Sequence, residues 1–358
     1  MAIDAERIIR GEIQQKGSIT FARFMELALY APGVGYYERE GGQTGRGGDF
    51  YTSVSVGPVL GFLLAHWVAR ACADFESIDL VEAAAHDGRL AGDVLEALGK
   101  FHPGTAERVR YTILEPSEAR RAVQQRTLER WADRVVWRAG WADVTKPVQG
   151  VVFSNELLDA MPVHRLVWDA GRRRWQEWGV TVEAGQLAWC RRDPEESLVP
   201  QELAPLTEVL PEGFVVERSP AAAAWWSMAA CALGRGWLMA LDYGFDEDSV
   251  IRPERAGGTA RGYSRHRRVD DLLANPGDQD LTAHVDFPRL IREGEAQGLE
   301  TVDFLPQGRW LGRWATEVLS AGGDGARWLV ERARGLQTLT HPAHLGHSLR
   351  VLVQANAP

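Results

Sequence analysis

The sequence predicts an α/β protein with a doubly wound, mostly parallel sheet, an N-terminal helical cap and a β-rich insertion. Short apolar strands alternate with helical patterns from about residue 58, which is typical of right-handed βαβ units. The alternation stops at about residue 163, where short strands follow one another through turn residues, and it resumes at about residue 219. We therefore divide the chain into a cap with a loop, a core in two parts and an insertion: 1–57, 58–162 with 219–358, and 163–218.

The cap contains two helical patterns and a long loop. Apolar residues recur at helical spacing over 8–13 and again over 21–29, where Ser18 or Thr20 is the expected N-cap. The loop over 31–55 is rich in glycine and interleaved with aromatic residues. Because a long loop in a compact protein usually has a function, we expect this one to be ordered and functional.

The first part of the core should contain four strands with helices between them. Its first helix is apolar on nearly every side, which predicts burial. The strands are short apolar runs bounded by loop residues. In chain order we predict helix 58–72, strand 78–82, helix 88–98, strand 109–114, helix 117–131, strand 135–138 and strand 150–154.

The insertion and the second part of the core follow. The insertion should contain three strands with a hairpin turn at 169–171. The segment 257–280 is rich in arginine and is predicted to be irregular. In chain order we predict insertion strands 165–169, 175–182 and 187–191, then helix 220–233, strand 236–242, helix 286–297, strand 299–304, helical segments 310–320 and 325–336, and strand 349–354.

The composition is that of a folded globular protein. Of the 358 residues, 45% are hydrophobic and 25% are charged, which excludes a disordered or fibrous chain. The net charge of −9 disfavours nucleic acid and anionic membrane surfaces as partners. Three widely separated cysteines form neither a disulfide framework nor a C-x-x-C site. Since the start resembles no signal or transit peptide and no apolar run reaches about 18 residues, we expect a cytoplasmic protein without a membrane span.

Polar residues follow four of the predicted strands, at the edge where an open α/β sheet binds its ligands. They are Glu82 at the end of the first strand with His86 and Gly88 after it, Glu115 after the second, Asn155, Glu156 and Asp159 after the strand over 150–154, and Asp242 at the end of the strand over 236–242. One acid alone is equally compatible with a helix cap or an arginine partner. Four polar strand ends that converge on one edge favour a cleft lined by acids.

The turn after the first strand indicates the kind of ligand. It retains Gly88 but lacks the G-x-G-x-x-G pattern, which disfavours a dinucleotide held by its phosphates. Glu115 lies somewhat farther along the chain than the roughly 20 residues of a dinucleotide fold, yet it is placed to accept both hydroxyls of a ribose. These features are compatible with a nucleoside that carries no phosphate.

Five segments resemble motifs of the MidA family, whose best-known member is the mitochondrial complex I assembly factor. They are GGDFYTS at 47–53, SNELLDAMPVH at 154–164, LDYG at 241–244, GTARGYSRHR at 258–267 and DLTAHVDF at 280–287. The similarity runs in order from about residue 17 to the end of the chain. The resemblance implies a class I S-adenosylmethionine-dependent methyltransferase fold, S-adenosylmethionine as cofactor and a protein substrate methylated on arginine.

One motif departs from the family pattern. The family usually has acid-x-Gly-Pro-Gly-x-Gly after the first strand, whereas this chain has Ala84, Ala85 and His86 at the Gly, Pro and Gly positions and keeps only Gly88. Ala84 is tolerated easily unless its backbone takes a positive φ, and His86 adds a bulky side chain beneath the cofactor. Either the pocket is rearranged so that His86 contacts the cofactor or the substrate, or cofactor binding is weakened and the enzyme is retired.

The resemblance and the residues together give each candidate a role. Acidic side chains suit a guanidinium acceptor, because they hold it by paired hydrogen bonds and stabilise its charge. We predict Asn155, Glu156 and Asp159 as the catalytic residues on the acceptor side. The predicted cofactor-binding residues are Glu82, which orients the first loop, Ala84, His86 and Gly88 in that loop, Glu115 on the ribose, Asn155, and Asp49, Thr52 and Ser53, which cover the cofactor.

Alternatives to an active protein methyltransferase remain open at this stage. The chain could instead be a cofactor-binding or inactive assembly factor that acts through its surface, or a small-molecule methyltransferase. His341, His344 and His347 favour a loop cluster over a metal site, so no metal is predicted. Arg261, Arg265, Arg267 and Arg268 with Tyr263 form a basic patch that is either a solvated loop or a docking site for an acidic protein surface.

Overall fold

The N-terminal segment forms two capped helices. The computed structural model describes residues 4–39, 52–246, 255–264 and 267–356. Asp4 accepts a hydrogen bond from the backbone N–H of Arg7 at 2.8 Å, and Thr20 accepts one from Arg23 at 3.1 Å, so each begins a helix. Of the two caps expected for the second helix, Thr20 is the one used. The elements are helix α1 (Ala5–Lys16), strand β1 (Ile19–Thr20) and helix α2 (Phe21–Tyr30).

The first part of the core alternates strands and helices as predicted. The strands are apolar and almost entirely buried, and Ser117 caps the helix after the second strand by accepting from the N–H of Arg120. The elements are α3 (Val59–Ala71), β2 (Ile78–Ala83), α4 (Arg89–Phe101), α5 (Pro103–Ala106), β3 (Val109–Leu114), α6 (Glu118–Thr127), β4 (Val135–Arg138) and β5 (Val148–Asn155).

The insertion consists of antiparallel strands. Three match the predicted strands, and a fourth, which the sequence pattern did not show, precedes the return to the core. The elements are β6 (His164–Asp169), β7 (Arg174–Glu183), β8 (Gln186–Arg192) and β9 (Val215–Arg218).

The second part of the core completes the sheet. Ser219 and Asp286 cap its first two helices. The elements are α7 (Pro220–Ala232), β10 (Leu233–Phe245), β11 (Arg261–Ser264), β12 (Arg267–Val269), β13 (Asp280–Thr282), β14 (Val285–Asp286), α8 (Phe287–Ala296), β15 (Glu300–Pro306), α9 (Gln307–Ala321), α10 (Gly323–Glu331), α11 (Ala333–Thr340), α12 (Leu345–Ser348) and β16 (Leu349–Asn356).

The central sheet has the strand order β15-β16-β10-β5-β2-β3-β4, and β14 pairs with the end of β10. Strands β4, β3, β2, β5 and β10 are parallel, whereas β16 is antiparallel to both of its neighbours. The strand order reverses between β2 and β5, which places a switch point at their carboxyl ends. The predicted doubly wound, mostly parallel sheet is confirmed.

Helices cover both faces of this sheet. On one face α3, α4 and α9 pack around the fully buried Trp310, and on the other α7 and α8 pack around Trp226. Within the described residues, no helix is both long enough and apolar enough to cross a bilayer.

The cap and the insertion pack together. Strand β1 of the cap pairs with β7 of the insertion. The sheet has the order β1-β7-β6-β9, and β8 also pairs with β7. Ile9 and Phe24 of the cap, Val180 of the insertion and Leu281 of β13 share one apolar cluster. These three parts of the chain therefore pack as one layer. The boundaries drawn at residues 57, 162 and 218 stay a prediction.

The prediction that 257–280 is irregular was wrong in part, because three short strands, Arg261–Ser264, Arg267–Val269 and Asp280–Thr282, fall in or begin in this segment. Strands β11, β12 and β13 form a small antiparallel sheet in which Gly262 pairs with Val269 on one side and Leu281 on the other. Strands of three or four residues are too short to show a two-residue period, and their arginines hide the apolar side.

The position of Gly236 in the central sheet should not accommodate a side chain. It has a φ of 127°, and a Cβ there would lie 1.9 Å from the carbonyl oxygen of Gly150. We expect Gly236→Ala to lower the free energy of unfolding by about 3 kcal/mol or more, measured by urea denaturation. As the matched control, Gly11→Ala in α1 meets no neighbour and should raise it by about 0.5–1 kcal/mol. Equal effects of the two substitutions would contradict the strand pairing.

Candidate active site

A cleft of about 590 Å³ lies at the carboxyl ends of β2, β3 and β5. The residues after these strands form one side of it, and the end of α2 and the segment that follows form another. Helix α7 adds an apolar wall that includes Trp225 and the half-exposed Met228. The cleft is thus at the switch point, between the sheet and the layer formed by the cap.

The loop after β2 has an unusual backbone. Ala84, His86 and Gly88 have φ values of 54°, 48° and 84°, so two residues with side chains occupy the left-handed region. A Cβ on Gly88 would press on the side chain of Leu128 and the backbone of Gln124. The loop therefore keeps a glycine-like path, with strain of about 1–3 kcal/mol at each of the other two positions.

Gln124 of α6 links this loop to the end of β3. Its side-chain amide donates to the carbonyl oxygen of His86 at 3.1 Å and to Oε2 of Glu115 at 3.0 Å. Trp137 in turn donates to the amide oxygen of Gln124 at 3.0 Å, which fixes the orientation of the amide. Gln124 was not predicted as a site residue; its signal in the sequence is a polar residue on the inner side of a helix.

Glu115 is buried and held from two sides. Oε1 accepts from the backbone N–H of Ser117 at 3.1 Å, and Oε2 accepts from Gln124. Burial raises the pKa of Glu115, although both hydrogen bonds act in the other direction. Because each carboxylate oxygen can accept a second hydrogen bond, Glu115 can still bind two hydroxyls of a ligand.

Glu82 lies at the base of the cleft. It is only 2% exposed, and the hydroxyl of Tyr111 donates to its Oε2 at 2.7 Å. Burial raises the pKa of Glu82 to about 8. Glu82 lines the cleft as predicted, but the described structure anchors it through Tyr111 of β3 instead of through the loop that it was predicted to orient.

Asn155 and Glu156 follow β5. Glu156 has a φ of 51°, its N–H donates to the carbonyl of Leu241 at 2.8 Å, and its Oε1 accepts from the N–H of Ser53 at 2.9 Å and from Asn155 at 3.2 Å. Burial, together with repulsion from Asp242, raises the pKa of Glu156 to about 7. Within the described part of the chain, the buried Oδ1 of Asn155 has no hydrogen-bond partner, so it can accept from a ligand.

Asp159 and Asp242 form a carboxylate pair. Asp242 is completely buried; it accepts from the N–H groups of Leu157, Leu158 and Tyr243 at 2.8–3.1 Å, and burial raises its pKa to about 6. Asp159 hydrogen-bonds Asp242, and its pKa is raised well above the usual range by burial and by neighbouring carboxylates. The pair therefore holds one proton near neutral pH.

The expectation that Asp242 lines the cleft was wrong. Its carboxylate is turned into the protein, where it closes the turn after β5, and Asp159 is the member of the pair that reaches the cleft. A strand-end acid that satisfies several backbone N–H groups looks the same in sequence as one that faces a ligand.

Aromatic residues of the cap bring a further acid into the site. The hydroxyl of Tyr37 lies 2.9 Å from both carboxylate oxygens of Asp280, and the rings of Tyr30 and Tyr37 stack at 5.6 Å. Tyr30 also donates to the carbonyl of Ala160 at 2.9 Å, next to Asp159. No role was predicted for these residues, although Asp280 is the first residue of the DLTAHVDF motif.

The remaining predicted residues have different positions. Thr52, Ala84 and His86 line the cleft, as do Asn155 and Glu156. Ser53 is completely buried, and its hydroxyl hydrogen-bonds to Gln307 at 3.1 Å. It therefore holds the Glu156 side chain in place instead of lining the cleft. Asp49 lies outside the described residues. No group of three or more His, Cys, Asp or Glu side chains in the described ranges is arranged to hold a metal ion.

The cleft fits a nucleoside cofactor. Glu115 offers acceptors for ribose hydroxyls, Asn155 offers an unused buried oxygen, and the glycine-like loop exposes backbone beside them. Acids without a basic partner suit a cofactor that carries a positive charge: within the described residues, Glu156 and Asp159 form no ion pair with lysine or arginine.

Comparisons with known proteins agree with the fold and with the cofactor. A family model of S-adenosyl-L-methionine-dependent methyltransferases matches residues 63–305, more than half of the chain. A protein from Burkholderia thailandensis, whose crystal structure contains S-adenosyl-homocysteine, superposes with a TM-score of 0.86 at 32% identity, over 98% of this chain and 92% of that one. The chain is therefore a class I S-adenosylmethionine-dependent methyltransferase.

Curated relatives narrow the assignment. The mouse mitochondrial protein arginine methyltransferase NDUFAF7 is 28% identical over 82% of this chain and 70% of its own length. The Drosophila melanogaster homologue is 28% identical over 96% of this chain and 83% of its own length. The chain belongs to the MidA family of methyltransferases, which confirms the resemblance seen in its motifs.

Because the loop after β2 is strained, replacing Ala84 by glycine should stabilise the protein. We expect Ala84→Gly to raise the free energy of unfolding by about 0.5–1 kcal/mol, because the left-handed backbone no longer carries a side chain. Ala326→Gly in the interior of α10 should instead lower it by about 1 kcal/mol. Chemical denaturation measures both, and a loss at Ala84 similar to the loss at Ala326 would contradict the backbone path.

Glu115 should control cofactor affinity. We expect Glu115→Ala to weaken S-adenosylmethionine binding by at least about a hundredfold in titration calorimetry, since two hydrogen bonds to a charged acceptor are lost. The control is Glu118→Ala, which removes an exposed acid from the first turn of α6 and should leave the affinity unchanged. Unchanged affinity in Glu115→Ala would refute the ribose assignment.

The buried acids predict that alkali destabilises the ligand-free protein. The pKa values of Glu82, Glu156 and Asp242 are raised to about 8, 7 and 6, so the folded state retains protons that the unfolded chain releases above about pH 4. Their stabilisation is complete at acid pH and is lost as the pH rises through these values. We expect the free energy of unfolding to fall by several kcal/mol between about pH 5 and pH 9.

The control for this pH dependence is Glu82→Gln. The amide keeps the shape and can still accept from Tyr111, but it has no proton to lose. Urea denaturation should therefore show a smaller fall for Glu82→Gln than for the wild type above about pH 7. Stability that is flat or rising over this range in the wild type would contradict the buried carboxylates.

Proposed function

We propose that this methyltransferase transfers a methyl group to an arginine side chain of a protein substrate. The observation that carries the proposal is the group of carboxylates at the inner end of the cleft, Glu156 and Asp159 with Asp242 behind them. Within the described residues, none of the three forms an ion pair with a lysine or arginine of the chain itself. Such a group favours a cationic acceptor.

A guanidinium is the cation that this arrangement suits best. It is planar and always protonated, and it forms paired hydrogen bonds with carboxylates. Asp159 and Asp280 both line the cleft, and the hydroxyl of Tyr37 holds Asp280 in a fixed orientation. The two relatives compared above are named protein arginine methyltransferases, which supports the same acceptor.

Bound S-adenosylmethionine supplies a methyl group on a positively charged sulfur. Glu115 and Asn155 hold the nucleoside in this proposal, and the loop after β2 lies beneath it. Asp159 and Asp280 orient the guanidinium. As the attacking guanidinium nitrogen forms the new N–C bond, the bond between the methyl group and sulfur would break and S-adenosylhomocysteine would leave. The same nitrogen must lose one proton, and Glu156, with its pKa raised to about 7, accepts it. Ser53 and Asn155 hold the Glu156 carboxylate in place for this step.

The reaction product tests the proposal. The protein is incubated with S-adenosylmethionine labelled in its methyl group and with arginine-containing peptides and cell extract, and the hydrolysed protein is analysed for methylarginine by mass spectrometry. Labelled methylarginine in protein is the expected result. A label confined to small molecules would instead identify a small-molecule methyltransferase, and cofactor binding without any transfer would identify an assembly factor that acts through its surface.

Glu156→Gln should separate catalysis from binding. Loss of the proton acceptor is expected to lower the turnover number by about a hundredfold or more, whereas S-adenosylmethionine affinity changes little. Glu208→Gln removes an exposed acid of the insertion and serves as the matched control with full turnover. Equal turnover in Glu156→Gln and wild type would contradict the role of Glu156.

The cellular location also stays a proposal. The two relatives named above are mitochondrial proteins, and that location belongs to them. The cytoplasmic location expected for this chain is tested by imaging it in its own cells.

A further inference from the structure

A second, smaller pocket lies between the insertion and the β11–β12 hairpin. Its volume is about 210 Å³. Arg165 of β6, Arg261 of β11 and Arg268 of β12 line it, together with the ring of Trp189 from β8. We refer to these four residues as the basic pocket. None of them has a role in the cofactor or acceptor site described above.

Two of the three arginines, Arg165 and Arg261, are held in place instead of moving freely in solvent. Arg165 is only 8% exposed, donates to the carbonyl of Gly257 at 2.8 Å, and has its guanidinium carbon 5.2 Å from the centre of the Trp189 ring. Arg261 donates to the carbonyls of Gly258 and Ala260 at 3.2 and 2.7 Å. The pocket is therefore preorganised, which lowers the entropy lost when a ligand binds.

Positive charge exceeds negative charge in this pocket. Glu217 lies 3.4 Å from Arg165, but its carboxylate also accepts from the N–H and hydroxyl of Thr259 and from the N–H of Ala260. Asp270 lies 3.4 Å from Arg268 and is 93% exposed, so this pair contributes little. Within the described ranges, three guanidinium groups thus face two carboxylates, and burial and repulsion from Arg268 lower the pKa of Arg261.

The basic pocket is next to the acidic cleft. Arg261 of β11 is paired directly with Thr282 of β13, and Thr282 and Asp280 line the cleft. Neighbouring strands are about 5 Å apart, so the two sites lie roughly 5–10 Å from each other across the small sheet. One polypeptide segment could therefore reach both.

We propose that the basic pocket binds an aspartate or glutamate side chain of the same polypeptide whose arginine enters the cleft. This inference rests on the proposed function and narrows its substrate to segments that carry both charges. An extended chain advances about 3.3 Å per residue, so the acid lies about two to three residues from the methylated arginine. Arginine side chains recognise carboxylates by paired hydrogen bonds, and the Trp189 ring supports the fixed guanidinium of Arg165.

The test compares peptides that differ by one charge. Short peptides carry a single arginine in a glycine and serine background, with aspartate or asparagine at each neighbouring position in turn. Binding is measured by fluorescence anisotropy in the presence of S-adenosylhomocysteine, and methyl transfer is measured separately. We expect the best aspartate peptide to bind about tenfold more tightly than its asparagine partner.

Arg268→Gln should remove most of this preference. Arg268 is largely exposed, so the substitution leaves the fold and cofactor affinity intact. The matched control is Arg173→Gln, which removes another exposed, ion-paired arginine from the insertion and should keep the preference. The preference should also weaken at high salt.

Three results would overturn the proposal: equal binding of aspartate and asparagine peptides, a preference that Arg268→Gln leaves unchanged, or binding of inorganic phosphate at the pocket without any effect of peptide charge. The binding and transfer readouts separate this inference from the function on which it rests. Absence of methylarginine from every peptide, with the aspartate preference intact, would reject arginine methylation and keep the basic pocket.

Discussion

The cleft depends on the buried carboxylate of Asp242. This residue lies near the carboxyl end of β10 and accepts hydrogen bonds from the backbone N–H groups of Leu157, Leu158 and Tyr243, so it joins this part of β10 to the turn after β5. The turn that it closes holds Glu156 in a left-handed conformation and brings Asp159 against it. Removing the carboxylate would leave three N–H groups without this partner, and for the buried N–H of Leu158 the cost is about 1–3 kcal/mol.

The same burial makes the site able to bind a cation. A carboxylate without a basic partner is unfavourable in a protein interior, and the protein responds by keeping protons on its acids. The pKa values of Glu82, Glu156 and Asp242 are raised for this reason. A bound positive charge replaces those protons. The buried carboxylates therefore both destabilise the empty cleft and give it affinity for a charged sulfur or guanidinium.

Much of the fold and part of the site could be predicted from the sequence. The alternation of strands and helices predicted the parallel sheet. Because parallel strands end at one edge, the sheet in turn predicted that Glu115, Asn155 and Glu156 lie in one cleft. Contacts between distant parts of the chain left no local signal. Tyr37 meets Asp280 only because the cap folds over the sheet.

Two further features of the site could not be predicted from the sequence, for physical reasons. The direction of the Asp242 side chain depends on which backbone N–H groups the neighbouring turn leaves open, which a strand pattern does not show. The left-handed conformation of Ala84 and His86 contradicts their own preferences, so only the glycines at the corresponding family positions pointed to it.

The central claim, that a positive charge displaces protons from buried carboxylates, is tested most directly by proton release on binding. Calorimetric titrations near neutral pH in buffers of different ionisation enthalpy give the number of protons released. S-adenosylmethionine and S-adenosylhomocysteine differ in the charge on sulfur, so the first should release more protons than the second. Equal proton release by the two would contradict the account.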